Sequence, residues 1–148
     1  MADAGTFTIT NAAKKKLTDG TFDLDTHTFK GCLVTASVAL TAASAPANYA
    51  AITNQITGAG YTAGGQALTT VTLVETTGTV VFDAADVTWA GSTISGAKYI
   101  IVYDDSAPSK DVLGFMDLNP ASGSAVADPS SSGDFTVRWH ATGMFAYA

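Results

Sequence analysis

The acidic residues are the first candidates for chemistry, because many of them come in pairs. The pairs are Asp23 with Asp25, Asp83 with Asp86 and Asp104 with Asp105. Two neighbouring carboxylates can share acid–base catalysis or supply oxygen ligands to calcium. None of the pairs has the spacing of a calcium-binding loop. Asp104 and Asp105 follow an apolar run and precede "SAPSK", so we expect them to cap a turn.

The other reactive side chains are few and show no recognisable arrangement. His27 and His140 have no metal-ligand spacing to each other or to Cys32, the single cysteine. The members of a nucleophile–histidine–acid triad can come from anywhere in a chain, but no nucleophile motif supports one here. The sequence therefore predicts a protein that is not an enzyme, with no catalytic, cofactor-binding or metal-binding residue.

The glycine-rich stretch "GYTAGGQAL", residues 60–68, has the composition of a ligand-binding loop. A nucleotide-binding loop places its glycines between a strand and a long helix, and a P-loop adds Lys-Ser/Thr after the last glycine. Here Gly65 is followed by "QALTTVTL", which has the pattern of a strand. We therefore expect a turn in which Gly64 and Gly65 supply positive φ angles and Tyr61 packs against the sheet.

Composition narrows the classes of partner. The chain of 148 residues has a net charge of −6 and only one arginine, so it lacks the basic stripe that binds nucleic acid. Lys14–Lys16 is expected to be a solvated helix face, the alternative being contact with an acidic partner. No apolar stretch approaches the roughly 20 residues of a membrane span, and the start lacks a signal-peptide pattern. We expect no membrane partner and synthesis in a cytoplasm.

Short strands dominate the predicted elements. The predicted strands are 27–40, 67–75, 80–82, 87–89, 97–105, 112–118, 134–141 and the final residues, with a helix over 11–20 capped by Asn11 and closed by Gly20, and one or two helical turns over 48–56. Seven to nine strands without long helices predict a mainly β chain. The expected fold is an antiparallel β-sandwich (jelly-roll-like) or barrel with one or two short helices, in a single domain over residues 11–148.

Two sets of large side chains are predicted to lie in the core. Alternate residues of a half-buried strand face the same side, which groups Tyr99, Ile101 and Tyr103. Trp89 is expected near this core, and both Trp89 and Trp139 are interpreted as core residues more readily than as a sugar-binding platform.

The first ten residues leave two alternatives open. Phe7 and Ile9 lie on one side of an alternating segment that precedes the rest of the domain. An apolar strand needs another surface, which is either its own sheet or the sheet edge of a neighbour. Phe7 and Ile9 are therefore either partner-binding residues on an N-terminal arm or part of the first strand of the sandwich.

Several motifs resemble a family of small virion proteins encoded with the structural genes of tailed phages. They are the helix and strand in "NAAKKKLTDGTFDLDTHTFKGCLVTA", the turn "GYTAGGQAL", then "FDAADVTWAGSTISGAKYIIVYDD", "LGFMDL" and "DFTVRWHATGMFAYA". The family positions fall on Gly60, Tyr61, Gly64, Gly65, Phe82, Asp86, Trp89, Tyr99, Tyr103, Gly114, Gly143 and Phe145. The likeness runs from about Asn11 to Phe145, with Lys98 where the family often has arginine and an alanine-rich stretch near Pro46 where it often has aromatics.

This resemblance implies a structural virion component, namely a capsid cement or decoration protein bound to the major capsid protein shell. The alternative is a tail or head–tail component, such as a fibre base or a host-recognition carbohydrate-binding module. The implied partners are the major capsid protein or other virion proteins, and the implied location is the virion. Cement proteins of this size commonly sit on local threefold axes, so a homo-oligomer is also implied, with a trimer as the expected form.

Overall fold

The computed structural model describes residues 5–37, 39–120 and 129–148, and this part of the chain is mainly β. The strands are β1 (Phe7–Ile9), β2 (Phe29–Val34), β3 (Gln66–Ala67), β4 (Thr72–Thr76), β5 (Thr79–Asp83), β6 (Val87–Ser92), β7 (Tyr99–Asp104), β8 (Val112–Asp117), β9 (Gly133–Val137) and β10 (Phe145–Tyr147). One α-helix, α1, spans Asn11–Thr18, and a 3-10 turn spans Tyr49–Ala51.

The strands form three antiparallel sheets. The largest has the order β1-β8-β7-β2-β3, a second has the order β10-β5-β4, and β6 pairs with β9. Within the described residues none of these sheets closes into a barrel, so the architecture is sandwich-like. The prediction of a mainly β, antiparallel fold is confirmed, and the barrel alternative is not what forms.

Strand β7 is buried along its whole length, which corrects the expectation that only one of its faces is covered. Ile100 and Val102 face the main core, whereas Tyr99, Ile101 and Tyr103 face a second, smaller core. The predicted grouping of these last three residues is therefore right. Trp89 is buried too, but it packs in the main core, on the opposite side of the sheet.

The chain itself supplies the cover for the second face of β7. Leu40, Tyr49 and Ile52 lie against this face, in a segment that connects β2 to the glycine-rich turn. Backbone hydrogen bonds from Tyr49 N to Lys110 O (2.8 Å) and from Val112 N to Ala47 O (3.0 Å) hold that segment against the β7–β8 connection. The predicted helical turn capped by Asn48 is the 3-10 turn in this cover.

Three predicted strands differ from the observed ones. The segment 67–75 divides between two sheets, because Thr70 adopts a left-handed conformation with φ 52° between β3 and β4. The strand expected over 27–40 spans only Phe29–Val34, and its pairing with β7 ends where β7 begins. The strand expected over 134–141 spans Gly133–Val137. Beyond it the chain leaves the sheet, and the backbone N–H of Trp139 donates to the Asp86 side chain.

The N-cap of helix α1 lies one residue before the predicted cap, so the helix itself begins at Asn11. The Thr10 hydroxyl, not the Asn11 side chain, accepts the hydrogen bond from Ala13 N at 3.0 Å. Both residue types are good N-caps, so their order alone does not identify the cap. Gly20 has φ 79° just beyond the helix, as expected for a closing glycine.

The N-terminal segment lies in the largest sheet. Phe7–Ile9 pairs with Gly114–Met116, and the Phe7 side chain is only 7% exposed. Its ring packs against those of Trp139 and Phe145, with centroid distances of 6.3 and 5.7 Å. Ile9 is half-buried against the same core. The segment is thus a strand of its own sheet, and a partner-binding role for Phe7 and Ile9 stays a prediction that this packing does not favour.

Replacing Phe7 measures how much the fold depends on this strand. Because the ring is enclosed by other aromatic rings, we expect Phe7→Ala to lower the free energy of unfolding by about 3–5 kcal/mol in urea titrations. The control Thr6→Ala alters an exposed neighbour and should change it by less than about 0.5 kcal/mol. A Phe7→Ala protein that unfolds like the wild type would contradict this placement.

Candidate interaction surface

The structure brings together two candidate chemical groups that lie 77 positions apart in the sequence. His27 Nδ1 lies 2.5 Å from Asp104 Oδ2, and the Asp104 side chain is fully buried. The other oxygen of Asp104 accepts backbone hydrogen bonds from Ser106 (2.9 Å) and Ala107 (3.2 Å). A buried aspartate that orients a histidine is two-thirds of a catalytic triad.

The serine beside this pair is used for structure. The Ser106 hydroxyl accepts from Thr28 N at 2.7 Å and lies 2.9 Å from the Thr28 hydroxyl. These bonds tie the segment before β2 to the turn after β7. The predicted turn-capping role of Asp104 is confirmed, and His27 anchors the preceding loop to the same turn.

Three of the other paired acids, Asp23, Asp86 and Asp105, also have local partners. Asp23 Oδ1 accepts from the backbone N–H groups of Asp25 (3.0 Å) and Thr26 (3.1 Å), which makes it the cap of a turn. Asp86 Oδ1 accepts from Trp139 N at 3.0 Å. Asp105 binds two lysines, and the hydrogen bond from Lys110 is the main cause that lowers its pKa from the ordinary value. These contacts are structural.

The basic cluster is only partly a solvated face. Lys14 and Lys15 are exposed as expected, but Lys16 Nζ lies 2.6 Å from a carboxylate oxygen of buried Asp111.

Cys32 is buried in the second core, and its burial raises the pKa of the thiol to about 12, so the thiol stays protonated near neutral pH.

The glycine-rich stretch is a turn that fastens the central sheet, as predicted. Gly64 and Gly65 have φ angles of 96° and 76°. The Tyr103 hydroxyl donates to Gly64 O at 2.9 Å, and the Tyr61 hydroxyl accepts from Leu33 N at 3.0 Å. A methyl group at Gly65 would collide with the carbonyl oxygen of Gly31 in β2. The turn is therefore packed directly onto the sheet, leaving no space for a phosphate between them.

A groove of about 670 Å³ lies between α1, the loop that follows it and one face of the β10-β5-β4 sheet. It is lined by Lys14, Leu17, Thr18, Gly20, Phe22, Asp23, Leu24, Asp25, Leu73, Val80 and Tyr147. The register pairs Leu73 with Phe82 and Tyr147 with Val80, so all four share one face of the sheet. This face is buried at Phe82 and extends beyond the core at the groove.

Strand β4 carries two of the exposed apolar residues of this region. All five of its residues are exposed, and Leu73 and Val74 are 37% and 52% accessible, with Tyr147 of β10 at 42%. In its sheet β4 is an edge strand that pairs only with β5. Exposed apolar side chains beside an unpaired strand edge are typical of a protein-binding surface. We call β4 together with the adjoining groove the β4 surface.

The sequence indicates a strand here, but not its exposure. A detectable signal was the Thr77-Gly78 dipeptide, which is a two-residue hairpin turn with φ angles of 50° and 85°. Reading this dipeptide as a hairpin turn would have predicted that β4 pairs with β5. The exposure of β4 depends on where the other sheets end, which periodicity does not encode.

Comparison of the chain with protein-family models, curated proteins and solved structures gives no match. Within residues 5–37, 39–120 and 129–148, no group of three or more His, Cys, Asp or Glu side chains is placed to hold a metal ion. In the same ranges, no helix has both the length and the apolar character needed to cross a bilayer.

Two glycine substitutions test the role of the turn. Gly65→Ala and Gly78→Ala both place a side chain at positive φ, but only Gly65 has backbone in the way, since the space around Gly78 is open. We expect Gly78→Ala to lower the free energy of unfolding by about 1 kcal/mol, and Gly65→Ala by a further 1–3 kcal/mol, roughly, from the collision. Equal losses in urea titrations would show that the turn is not packed on β2.

Substitutions at Asp104 test whether its contacts stabilise the fold. Asp104→Ala leaves the Ser106 and Ala107 amides and His27 without their acceptor, so we expect a loss of about 3 kcal/mol or more in the free energy of unfolding. Asp104→Asn keeps one oxygen for the two amides and should lose about half as much. If both variants unfold like the wild type, the contacts of Asp104 do not stabilise the fold.

Proposed function

We propose that this protein is a non-enzymatic structural component of a tailed-phage virion, a cement protein that binds the outside of the major capsid protein shell. The motifs that resemble small phage virion proteins suggest this class of function. The observation that carries the proposal is the β4 surface, where apolar side chains are exposed beside an unpaired strand edge. A partner protein is the natural cover for such a surface.

The motif residues support the proposal indirectly, because their contacts are contacts of the fold. Tyr61, Gly64, Gly65 and Tyr103 fasten the turn to the central sheet. Gly114 leaves room for the Phe7 ring, since a side chain there would collide with it. Residues of this kind preserve a scaffold and leave its surface free to vary, which suits a protein that works through binding.

The physics of cementing agrees with these features. A cement protein occupies many equivalent positions, so modest interfaces together give strong retention on the particle through avidity. Strand addition at an exposed edge supplies backbone hydrogen bonds, and a neighbouring groove receives alternate side chains of the partner. The β4 surface offers both of these elements within one sheet.

The test is the position of the protein on the particle of the phage that encodes it. We expect a cryo-electron-microscopy map to show it repeated over the shell lattice. Density restricted to one vertex would contradict the cement role and indicate a tail or head–tail component instead.

Binding of purified variants to particles that lack the protein tests the surface. Tyr147→Asp places a charge in the groove and should weaken co-sedimentation at least tenfold. Ala146→Asp is the matched control, because Ala146 is an exposed neighbour that alternates to the opposite face of β10. Equal binding by the two variants would place the contact elsewhere.

A further inference from the structure

The edge of β4 differs from the other edges of the two larger sheets. Natural proteins shield sheet edges by keeping them short, charged, bulged or covered. The edge strands β1, β3 and β10 are only two or three residues long, whereas β4 has five exposed residues. It contains no proline and no lysine, and its pairing with β5 runs without a bulge. Its one charged residue, Glu75, accepts a hydrogen bond from Gly78 N at 2.7 Å.

The hairpin fixes which backbone groups of β4 are free. Thr76 and Thr79 flank the two-residue turn, and such a closing pair is hydrogen-bonded in hairpins of this type. Hydrogen-bonded and non-hydrogen-bonded pairs then alternate along the ladder. Thr72 and Val74 therefore direct their N–H and C=O groups to β5, while Leu73 and Glu75 direct theirs outward.

We propose that the β4 edge is occupied by β4 of a second copy of this chain, paired antiparallel about a two-fold axis centred on Leu73. In this register Leu73 faces Leu73, and Glu75 faces Val71 of the other copy. The outward groups of Leu73 then pair with those of Leu73 of the other copy, and those of Glu75 pair with Val71, where the second strand extends β4 by one residue. This inference does not depend on the virion role, and in the dimer the groove of the β4 surface, but not the strand edge, stays open to a shell protein.

Charge selects this arrangement among symmetric alternatives. A register centred on Glu75 would place two carboxylates opposite each other, which is unfavourable for cross-strand neighbours. A register centred on Val74 would set Glu75 against Leu73 and make the two carboxylates diagonal neighbours on the same face. Centring on Leu73 places leucines together on the face that lines the groove and keeps the carboxylates apart.

The symmetry has a consequence for the β4 surface. A two-fold axis perpendicular to a sheet leaves the same face of both halves on the same side. The paired sheet has the order β10-β5-β4-β4-β5-β10, with the grooves of the two copies opening on one side. Such a dimer is a bivalent binder, which differs from the trimer implied by the family resemblance.

The mass of the purified protein tests the proposal without any particle. Light scattering after size-exclusion chromatography should give twice the 15.0 kDa chain mass. Leu73→Pro removes an outward N–H, and Leu73→Lys adds an edge charge, so both should give 15.0 kDa. Ala90→Lys, at an exposed position of β6, should remain a dimer. A monomeric or trimeric wild type overturns the proposal, and particle binding by a monomer would leave the cement role standing.

Disulfide trapping tests the register and does not require the Leu73 variants to fold. In the proposed pairing Thr72 of one copy lies opposite Val74 of the other in a non-hydrogen-bonded pair, whose Cβ atoms are close enough for a disulfide. Mild oxidation should crosslink a mixture of Thr72→Cys and Val74→Cys chains, and neither variant alone. Crosslinking of Val74→Cys with itself, or no crosslink in the mixture, contradicts the register.

Discussion

Strand β7 runs through the middle of the molecule with both faces covered, and each cover is built from a different part of the chain. The main core lies on one side, around Ile100 and Val102, and the segment containing Leu40, Tyr49 and Ile52 lies on the other. A strand buried on both faces must satisfy all its backbone groups through neighbouring strands, which β2 and β8 do along its length. This requirement places β7 between β2 and β8 in the largest sheet.

The side chains and the glycine-rich turn that were candidates for catalysis or ligand binding hold these covers in place. Tyr103 and the glycine-rich turn fasten the second cover, while Asp104, His27 and Ser106 fix the turn at the end of β7. Burial raises the pKa of the Tyr61 and Tyr103 hydroxyls, so both remain neutral donors and acceptors under ordinary conditions. These polar groups hold in place a cover that consists of an irregular segment with apolar side chains.

Local sequence patterns predicted the elements well and their partners poorly. The apolar run at 97–105 identified β7, and its lack of alternation was also a sign of burial on both faces. The division of 67–75 at Thr70 was hidden because threonine is a common strand residue that seldom adopts positive φ. The pairing of His27 with Asp104 joins positions 77 apart, which no spacing rule detects. The exposure of β4 likewise depends on the whole fold.

The edge of β4 is open to another chain, and amide hydrogen exchange of the wild-type protein tests directly whether a second copy occupies it. In dilute protein the Leu73 and Glu75 amides should exchange fast, because they point outward, while the Thr72 and Val74 amides should be protected by β5. When the protein is concentrated, the Leu73 and Glu75 amides should become protected as well. If they stay fast at every concentration, including those at which light scattering gives a dimer, the β4 edge is not where this protein meets its partner.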